Sequence, residues 1–276
     1  MKFLTFDIED YHHLLDIPSL TEQYDAEKTI VVDITNKILD LLKKHRKIAV
    51  FFILGEVAEK YPKLLRRIAD EGHVIGSHSN KHILHKDMSD QEFEVDLINS
   101  INVIETSSGI PVKVYRAPGF SLQEKFFNRF SILRKSGIVY DFSLFEGLAS
   151  HGGVKIPLSP ILEVFKTEYG EIKSFPFLKS RFCKLSLPLL GGGYFRLAPS
   201  WLIIKALKSN DYAMTYFHPR DFCPDQPRLK KLNLFRYFKA YVGLSGALKK
   251  LEKIIYADDW CGGRYLKGEL NARDIN

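Results

Sequence analysis

The sequence predicts an α/β protein folded as a distorted (β/α) barrel of about seven parallel strands, with an inserted hairpin and a C-terminal helical segment. Short apolar runs alternate with longer stretches of helical periodicity through most of the 276 residues. One of these runs, Ile48–Leu54, is continuously apolar, as expected for a strand buried on both faces. No glycine-rich nucleotide loop follows the first run, which favours a closed barrel over an open doubly wound sheet.

The individual elements follow from where these patterns begin and end. Apolar runs predict strands over Lys2–Phe6, Ile48–Leu54, His73–Ser77, Val112–Tyr115, Gly137–Tyr140 and Tyr212–Phe217. Helical spacing predicts helices over Thr29–His45, from Pro62 to the residue before Gly72, from Ser89 to about Thr106, and over Trp201–Lys208. Ser89 and Glu92 fit a capping box at the start of the third helix.

Two segments interrupt the alternation. Between Pro160 and Phe177, two strand-like runs around Tyr169 and Gly170 predict a hairpin inserted into the series. The glycines at Gly191–Gly193 predict a tight loop.

The basic charge is confined to one segment. Residues 228–253 hold eight basic residues and one acid, which account for the whole net charge of +7. Apolar residues recur there at helical spacing, which favours helices packed on the barrel with a solvated basic face. The alternative is contact with an anionic membrane or with the diphosphate of a carrier-linked glycan. A charge this confined, without a recognition motif, gives little support to nucleic-acid binding, and we expect no nucleic-acid partner.

Composition bounds the class of protein and its compartment. With 45% hydrophobic and 26% charged residues, the chain predicts a globular protein and excludes a disordered one. We expect a single domain over 1–276, with the barrel over about 1–222 and a basic helical appendage over about 223–276. Acidic residues interrupt the start of the chain, which disfavours a secretory signal, and no run approaches the length of a membrane span. The cysteines Cys183, Cys223 and Cys261 form no CxxC pair, so we expect reduced thiols in a cytoplasmic protein, with the inner face of the membrane as an alternative location.

Polar side chains gather where the predicted strands end. They are Asp7, Glu9 and Asp10 after the first strand, His78 and His82 after the third, Arg116 after the fourth, Asp141 after the fifth, and His218 after the last. In a β/α barrel the carboxyl ends of the strands meet on one face, where catalytic groups collect. The sequence therefore predicts a catalytic site at this face.

The residue types indicate metal-assisted hydrolysis. His78 and His82 are four apart, so one helical turn would place both rings on one side; the alternative is a solvated helix N-terminus. Two imidazoles and one carboxylate leave positions open on Zn²⁺ or another first-row divalent ion. Of the nearby acids, one could bind the metal and another could act as general base. Arg116 could hold the free carboxylate, unless it forms a surface ion pair, and His218 could donate a proton, unless it is a core histidine.

At these residues the sequence resembles the polysaccharide deacetylases of carbohydrate esterase family four, which share the NodB-type domain. The matching motifs are Thr5-Phe6-Asp7-Ile8-Glu9-Asp10, His78-Ser79-Asn80-Lys81-His82, Arg116-Ala117-Pro118-Gly119-Phe120, Asp141-Phe142-Ser143 and His218. The subgroup found with exopolysaccharide and O-antigen assembly loci is similar over Asp7–Tyr11, Gly191–Arg196 and His218–Pro227. The matches are ordered along the chain and span positions 5 to 227.

The resemblance implies a distorted barrel, a divalent metal and hydrolytic removal of acetyl from an N-acetylated sugar in a polysaccharide, O-antigen or glycolipid precursor. It implies zinc as the metal, with cobalt, nickel, manganese or iron as alternatives. It assigns Asp7 as the base, His78 and His82 as metal ligands, Arg116 as the residue that orients the base, His218 as the acid, and Asp141 as a further catalytic residue. The carboxylate ligand is Asp10 or Glu9, and we favour Asp10.

Three departures from the family pattern bear on substrate fit more than on the chemistry. The acid pair is stretched over Asp7–Asp10, Phe142 stands where a small residue is common, and Arg220 and Asp221 stand where the subgroup often has Trp and Glu. Two alternatives to a deacetylase remain: a catalytically inactive glycan- or lipid-carrier-binding protein on the same barrel, and a hydrolase of a non-sugar C–N amide.

Overall fold

A computed structural model describes residues 1–13, 29–159, 161–182, 185–229 and 232–273. Its strands are β1 (Lys2–Phe3), β2 (Thr5–Ile8), β3 (Val50–Ile53), β4 (Val74–Ser77), β5 (Val114–Tyr115), β6 (Tyr140–Asp141), β7 (Glu163–Thr167), β8 (Gly170–Ser174), β9 (Ser180–Phe182), β10 (Leu185–Leu187) and β11 (Ala213–Met214). Its α-helices are α1 (Val31–Lys44), α2 (Gly55–Lys60), α3 (Pro62–Asp70), α4 (Asp90–Ser108), α5 (Arg129–Lys135), α6 (Gly192–Leu197), α7 (Ser200–Lys208), α8 (Leu234–Tyr241), α9 (Leu244–Ala257) and α10 (Gly262–Arg273). Cys183, Pro160, Lys230 and Lys231, which entered the sequence predictions, lie outside the described residues.

The chain divides into two compact units. The first unit combines residues 1–49 with 179–263, and the second combines residues 50–178 with 264–276. The predicted α/β class with a mostly parallel sheet is confirmed, whereas closure of a barrel and the single domain divided at about residue 222 stay predictions.

The first unit joins distant parts of the chain through parallel strand pairs. Strand β1 pairs with β11, with Lys2 opposite Ala213, and Phe6 of β2 bridges Phe217. Aromatic packing continues from this bridge, since the rings of Phe195 and Phe222 lie 4.6 and 5.4 Å from that of Phe217. Helix α9 adds fully buried side chains to this unit, among them Leu251 and Ile254. The C-terminal end of β2 and the residues that follow β11 are thereby held side by side.

The second unit contains a sheet with the strand order β3-β4-β5-β6-β8-β7. All pairs from β3 to β8 are parallel, and β7 pairs antiparallel with β8. Parallel strands covered by helices are buried on both faces, and all four residues of β3 are buried. The predicted hairpin is confirmed at β7 and β8, and through β8 it extends the sheet.

Local sequence signals explain several element boundaries. Helix α4 begins after Ser89 with both hydrogen bonds of the predicted capping box and ends at Gly109, whose φ of 78° is left-handed. Pro62 opens α3 as predicted. The tight loop predicted at Gly191–Gly193 is wrong in part, because α6 begins at Gly192.

Within the described residues, no helix has both the length and the apolarity to cross a bilayer.

Candidate functional site

In the first unit, Asp7 and Glu9 mark the end of β2. Both are buried, with Asp7 fully inaccessible. The amide of Asp7 donates to the carbonyl of Phe217 at 2.7 Å, which places the carboxylates beside His218. Two buried carboxylates beside an imidazole form a group that can exchange protons.

His218 lies between acids on both sides of its ring. Its Nδ1 lies 3.1 Å from Oδ2 of Asp221, while its Nε2 lies 3.6 Å from Oε1 of Glu9 and 3.9 Å from Oδ2 of Asp7. Burial lowers the pKa of His218, but Glu9, Asp221 and Asp7 raise it, and the net shift is upward. These acids therefore stabilise the imidazolium form relative to that of a free histidine, which suits a proton donor.

Asp221 is held by charge. Arg196 donates from Nη1 to Oδ1 of Asp221, and both side chains are nearly inaccessible. Burial raises the pKa of Asp221, but Arg196, His218 and Arg220 lower it by more. The resulting pKa lies well below the usual range of an aspartate. Asp221 stays ionised and orients the ring of His218.

Asp10 has local partners for both carboxylate oxygens. Oδ1 accepts from the amides of Tyr11 and Ile30, at 2.8 and 3.3 Å, and Oδ2 accepts from the hydroxyl of Thr29. Ile30 directly precedes α1, so this carboxylate supports the start of a helix.

In the second unit, His78 and His82 lie on the loop that follows β4. The helical turn predicted there is wrong, because this segment is not helical and Ser79 and His82 have φ values of 74° and 56°. Left-handed backbone at non-glycine residues is unfavourable and concentrates at functional loops. The loop still brings the two rings to a centroid distance of 5.2 Å.

The loop is fixed by backbone hydrogen bonds to Asp96 of α4. Its carboxylate accepts from the amides of Asn80 and Lys81 at 2.8 and 3.2 Å. Gly55 faces this loop and leaves room for Asn80, because a Cβ on Gly55 would lie 2.0 Å from Oδ1 of Asn80. Asp96 carries no motif signal that would have identified it in the sequence.

The ring of His78 fits a metal ligand. Its Nδ1 lies 2.8 Å from the carbonyl oxygen of Arg116, and a carbonyl only accepts, so Nδ1 carries the proton. In its neutral form such a ring presents Nε2 as its lone-pair nitrogen. Ligating histidines in metalloproteins commonly donate their other N–H to a backbone carbonyl in this way.

Arg116 is fully buried in an aromatic enclosure. Its guanidinium carbon lies 4.2 Å from the ring centroid of Phe52, 5.4 Å from that of Phe120 and 5.9 Å from that of Phe142. These contacts hold the charge by cation–π attraction and exclude the predicted alternative of a surface ion pair. Phe142, a departure from the family pattern, thus packs against Arg116.

Asp141 is held by hydroxyl groups. Ser143 donates from Oγ to Oδ1 at 2.5 Å, and Ser174 donates from Oγ to Oδ2 at 2.6 Å. Complete burial raises the pKa of Asp141 to about 6, although these serines and Arg116 lower it. Ser174 belongs to the hairpin strand β8, and no sequence pattern identified it as a partner.

Two family models match the chain. Residues 3–138 match the polysaccharide deacetylase model, and residues 149–265 match a domain of unknown function (DUF3473). A peptidoglycan-N-acetylglucosamine deacetylase from Bacillus cereus is 40% identical over 87 residues, which are 32% of this chain and 32% of that protein. The chain thus spans about a third of the length of this curated relative.

Solved structures extend the likeness over nearly the whole chain. The crystal structure of a candidate polysaccharide deacetylase from Mycobacterium smegmatis covers 99% of this chain and 90% of its own, with a TM-score of 0.64 and 17% identity. A CE4 family pseudoenzyme from Bacillus anthracis covers 93% of this chain and 59% of its own, with a TM-score of 0.51 and 14% identity. At these identities the likeness shows the fold alone.

Proposed function

We propose that this chain, which carries a polysaccharide deacetylase domain over residues 3–138, is a hydrolase that removes acetyl groups from an N-acetylated glycan. The observation that carries the proposal is His218, whose Nδ1 faces Asp221 while Nε2 faces Asp7 and Glu9. This arrangement supports a general base and a general acid on neighbouring side chains. The peptidoglycan substrate of the Bacillus cereus relative makes an N-acetylhexosamine the substrate class to test first.

The proposed histidine ligands of a metal are His78 and His82, whose ring centroids lie 5.2 Å apart. The family resemblance adds a carboxylate ligand, Glu9 or Asp10. Glu9 replaces the Asp10 favoured from the sequence, because Asp10 accepts hydrogen bonds at both oxygens from its own surroundings. The carbonyl-bonded Nδ1 of His78 matches the requirements of a ligand. When bound, a divalent ion such as zinc would polarise the acetyl carbonyl and acidify water.

The remaining steps belong to the protein's own side chains. Asp7 accepts a proton from the attacking water as the water oxygen bonds to the acetyl carbonyl carbon; the C–N bond then breaks and acetate is released. His218 donates a proton from Nε2 to the departing amine, while Asp221 keeps its ring oriented through Nδ1. Arg116 has the role of keeping the base ionised, as the family resemblance implies.

Acetate release tests this function. Purified protein with Zn²⁺ or Co²⁺ is incubated with chitooligosaccharides and peptidoglycan fragments, and acetate is quantified. Asp7→Asn should lower kcat by about 10²–10⁴-fold, the usual contribution of a general base, with metal content unchanged. Asp211→Asn, at an exposed aspartate of the same unit, is the matched control and should retain full activity.

A folded, metal-loaded wild-type protein that released no acetate from any N-acetylated saccharide would contradict the proposal. Saccharide binding without turnover would then favour the inactive glycan-binding alternative, and acetate release from simple amides alone would favour the non-sugar hydrolase. The presence of Asp7, His78, His82, Arg116 and His218 supports activity over an inactive descendant.

We further propose that the protein works in the cytoplasm at an anionic membrane surface, which its α8 contacts. Leu234, Tyr237 and Phe238 share one face of α8 and are 90%, 39% and 54% exposed. Helix α8 carries basic but no acidic residues, as suits anionic headgroups.

Vesicle sedimentation tests the membrane contact. The wild type should sediment with anionic but not with neutral vesicles, and the double variant L234S/F238S should lose this binding. Leu148→Ser, at a 71% exposed leucine of the second unit, is the control. Equal sedimentation with both vesicle types would contradict the proposal.

A further inference from the structure

Arg220 is a buried cation whose role the proposed reaction leaves unexplained. It lies in the 3-10 turn Pro219–Phe222, two residues after His218, and only 7% of its surface is exposed. Its Nη1 is buried and has no hydrogen-bond partner within the part of the chain that the structure describes. A buried polar group of a charged side chain is normally hydrogen-bonded, since leaving it unbonded is unfavourable.

Arg196, in the same region, shows what a structural arginine looks like here. Its Nε donates to the carbonyl of Val242 and its Nη2 to those of Lys239 and Ala240. Its Nη1 donates to Asp221. Every nitrogen of this guanidinium is bonded, so Arg196 already supplies the cation that keeps Asp221 ionised.

Nearby acids favour the charged form of Arg220. Burial lowers its pKa, whereas Asp221 and Glu9 act in the opposite direction. An arginine stays protonated in proteins even when its pKa is lowered. Arg220 therefore brings a positive charge with an unfilled N–H close to the acid–imidazole group.

We propose that Arg220 binds an anionic substituent of the substrate, a carboxylate or a phosphate carried by the N-acetylated sugar. A guanidinium presents paired N–H groups that match the oxygens of carboxylates and phosphates. The acetamide that is hydrolysed is neutral, so this contact selects the substrate and takes no part in the bond-breaking step. The inference rests on the proposed function and assigns a substrate class to it.

Paired probes that differ in charge test this assignment. Deacetylation kinetics are measured with N-acetylglucosamine oligomers as the neutral probe, with saccharides containing N-acetylmuramic acid as the carboxylate probe, and with N-acetylglucosamine 1-phosphate as the phosphate probe. Arg220→Gln should raise KM for an anionic probe about 10- to 100-fold, as expected for the loss of a charged hydrogen bond, and leave the neutral probe within about twofold. The probe that responds identifies the anionic group.

Two further variants separate recognition from folding. Arg220→Lys keeps the charge but not the paired donors, so it should show an intermediate KM for the anionic probe and an unchanged KM for the neutral one. If Arg220→Gln does not fold, Arg220→Lys alone decides. Arg228→Gln, at an exposed arginine of the same unit, should behave as wild type with every probe.

Binding calorimetry keeps this inference distinct from the proposed function. If no probe releases acetate, the proposed function fails, and titration of inorganic phosphate and of lactate into wild type and Arg220→Gln still measures anion binding. Loss of binding in the variant supports an anion site. Wild-type protein that binds neither anion and shows no preference between charged and neutral saccharides would overturn the inference, as would an equal loss of affinity for all probes in Arg220→Gln.

Discussion

Two buried aspartates, one in each unit, are held in opposite ways. Asp221 of the first unit contacts Arg196 and His218, and these cations outweigh its burial and lower its pKa. Asp141 of the second unit contacts the hydroxyls of Ser143 and Ser174, and its burial outweighs them and raises its pKa to about 6. The same residue type at similar depth is thus fixed as an anion in one region and poised to take up a proton in the other.

The difference extends to the histidines. Acids raise the pKa of His218 in the first unit, whereas burial lowers the pKa of His73 to about 4 and of His85 to about 3 in the second. His218 and Asp221 of the first unit are therefore stabilised by opposite charge, whereas burial favours the neutral form of His73 and His85 in the second unit. A proton donor suits the first environment, and neutral imidazole ligands suit the second.

The largest expected effect is at Asp221. Asp221→Asn leaves buried Arg196 without its counter-ion, and we expect the free energy of unfolding to fall by about 3–5 kcal/mol. Urea unfolding at pH 7 measures this, and Asp225→Asn, at an exposed aspartate of the same unit, is the control. A loss below about 1 kcal/mol would show that charge does not hold the first unit together.

Asp141→Asn should change the pH dependence of stability in the opposite direction to Asp221→Asn. Because its folded pKa lies above the unfolded value of 3.8, the folded protein binds more protons between pH 3.8 and about 6, and this residue's stabilising contribution is lost as pH rises through that window. The shift amounts to about 3 kcal/mol at neutral pH, at 1.4 kcal/mol per unit. Asp141→Asn should therefore gain stability relative to wild type as pH rises from 4 to 7.

Urea unfolding at several pH values measures the difference in stability between wild type and Asp141→Asn. The other titrating groups are common to both proteins, so their contributions largely cancel in this difference. Parallel stability curves for wild type and Asp141→Asn would contradict the neutral-environment interpretation of the second unit.

The smallest expected effect is at Ser143, which bonds both Asp141 and the amide of Ala117. At pH 4, where the folded Asp141 is protonated, Ser143→Ala should cost about 1–2 kcal/mol of stability, since two neutral hydrogen bonds are lost. It should also move the acidic transition of Asp141 to higher pH, because Ser143 lowers that pKa. A transition that moved to lower pH would refute the assigned hydrogen bonds.

The sequence predicted the strand-end residues but not what holds them. Asp7, His78, Arg116, Asp141 and His218 were found because strand patterns are local and catalytic residue types follow them. Arg196, which bonds Asp221 across 25 positions, was missed because such pairing depends on tertiary packing. Asp96 and Ser174 were missed for the same reason.

Two local predictions failed where tertiary structure overrides propensity. Glycine is unfavourable in helices, yet α6 begins at Gly192. Packing against α8 requires a small residue there, because a Cβ on Gly193 would lie 2.8 Å from the carbonyl oxygen of Lys239. The spacing of His78 and His82 suits a helical turn, but left-handed residues at Ser79 and His82 produce the same proximity without one.

Because β1 pairs with β11, the first unit completes its strand pairs later during synthesis than the second unit does. Strand β1 has no partner until β11 is synthesised, since Lys2 pairs with Ala213, 211 residues later. At the usual rate of 5–20 residues per second this delay is about 10–40 s, during which residues 50–178 have already left the ribosome in order. The first side-chain carboxylates to be translated, Asp7 and Glu9, are thus among the last to be buried beside their partner, His218. The acid–imidazole group is completed only after residue 221 of the 276 has been made.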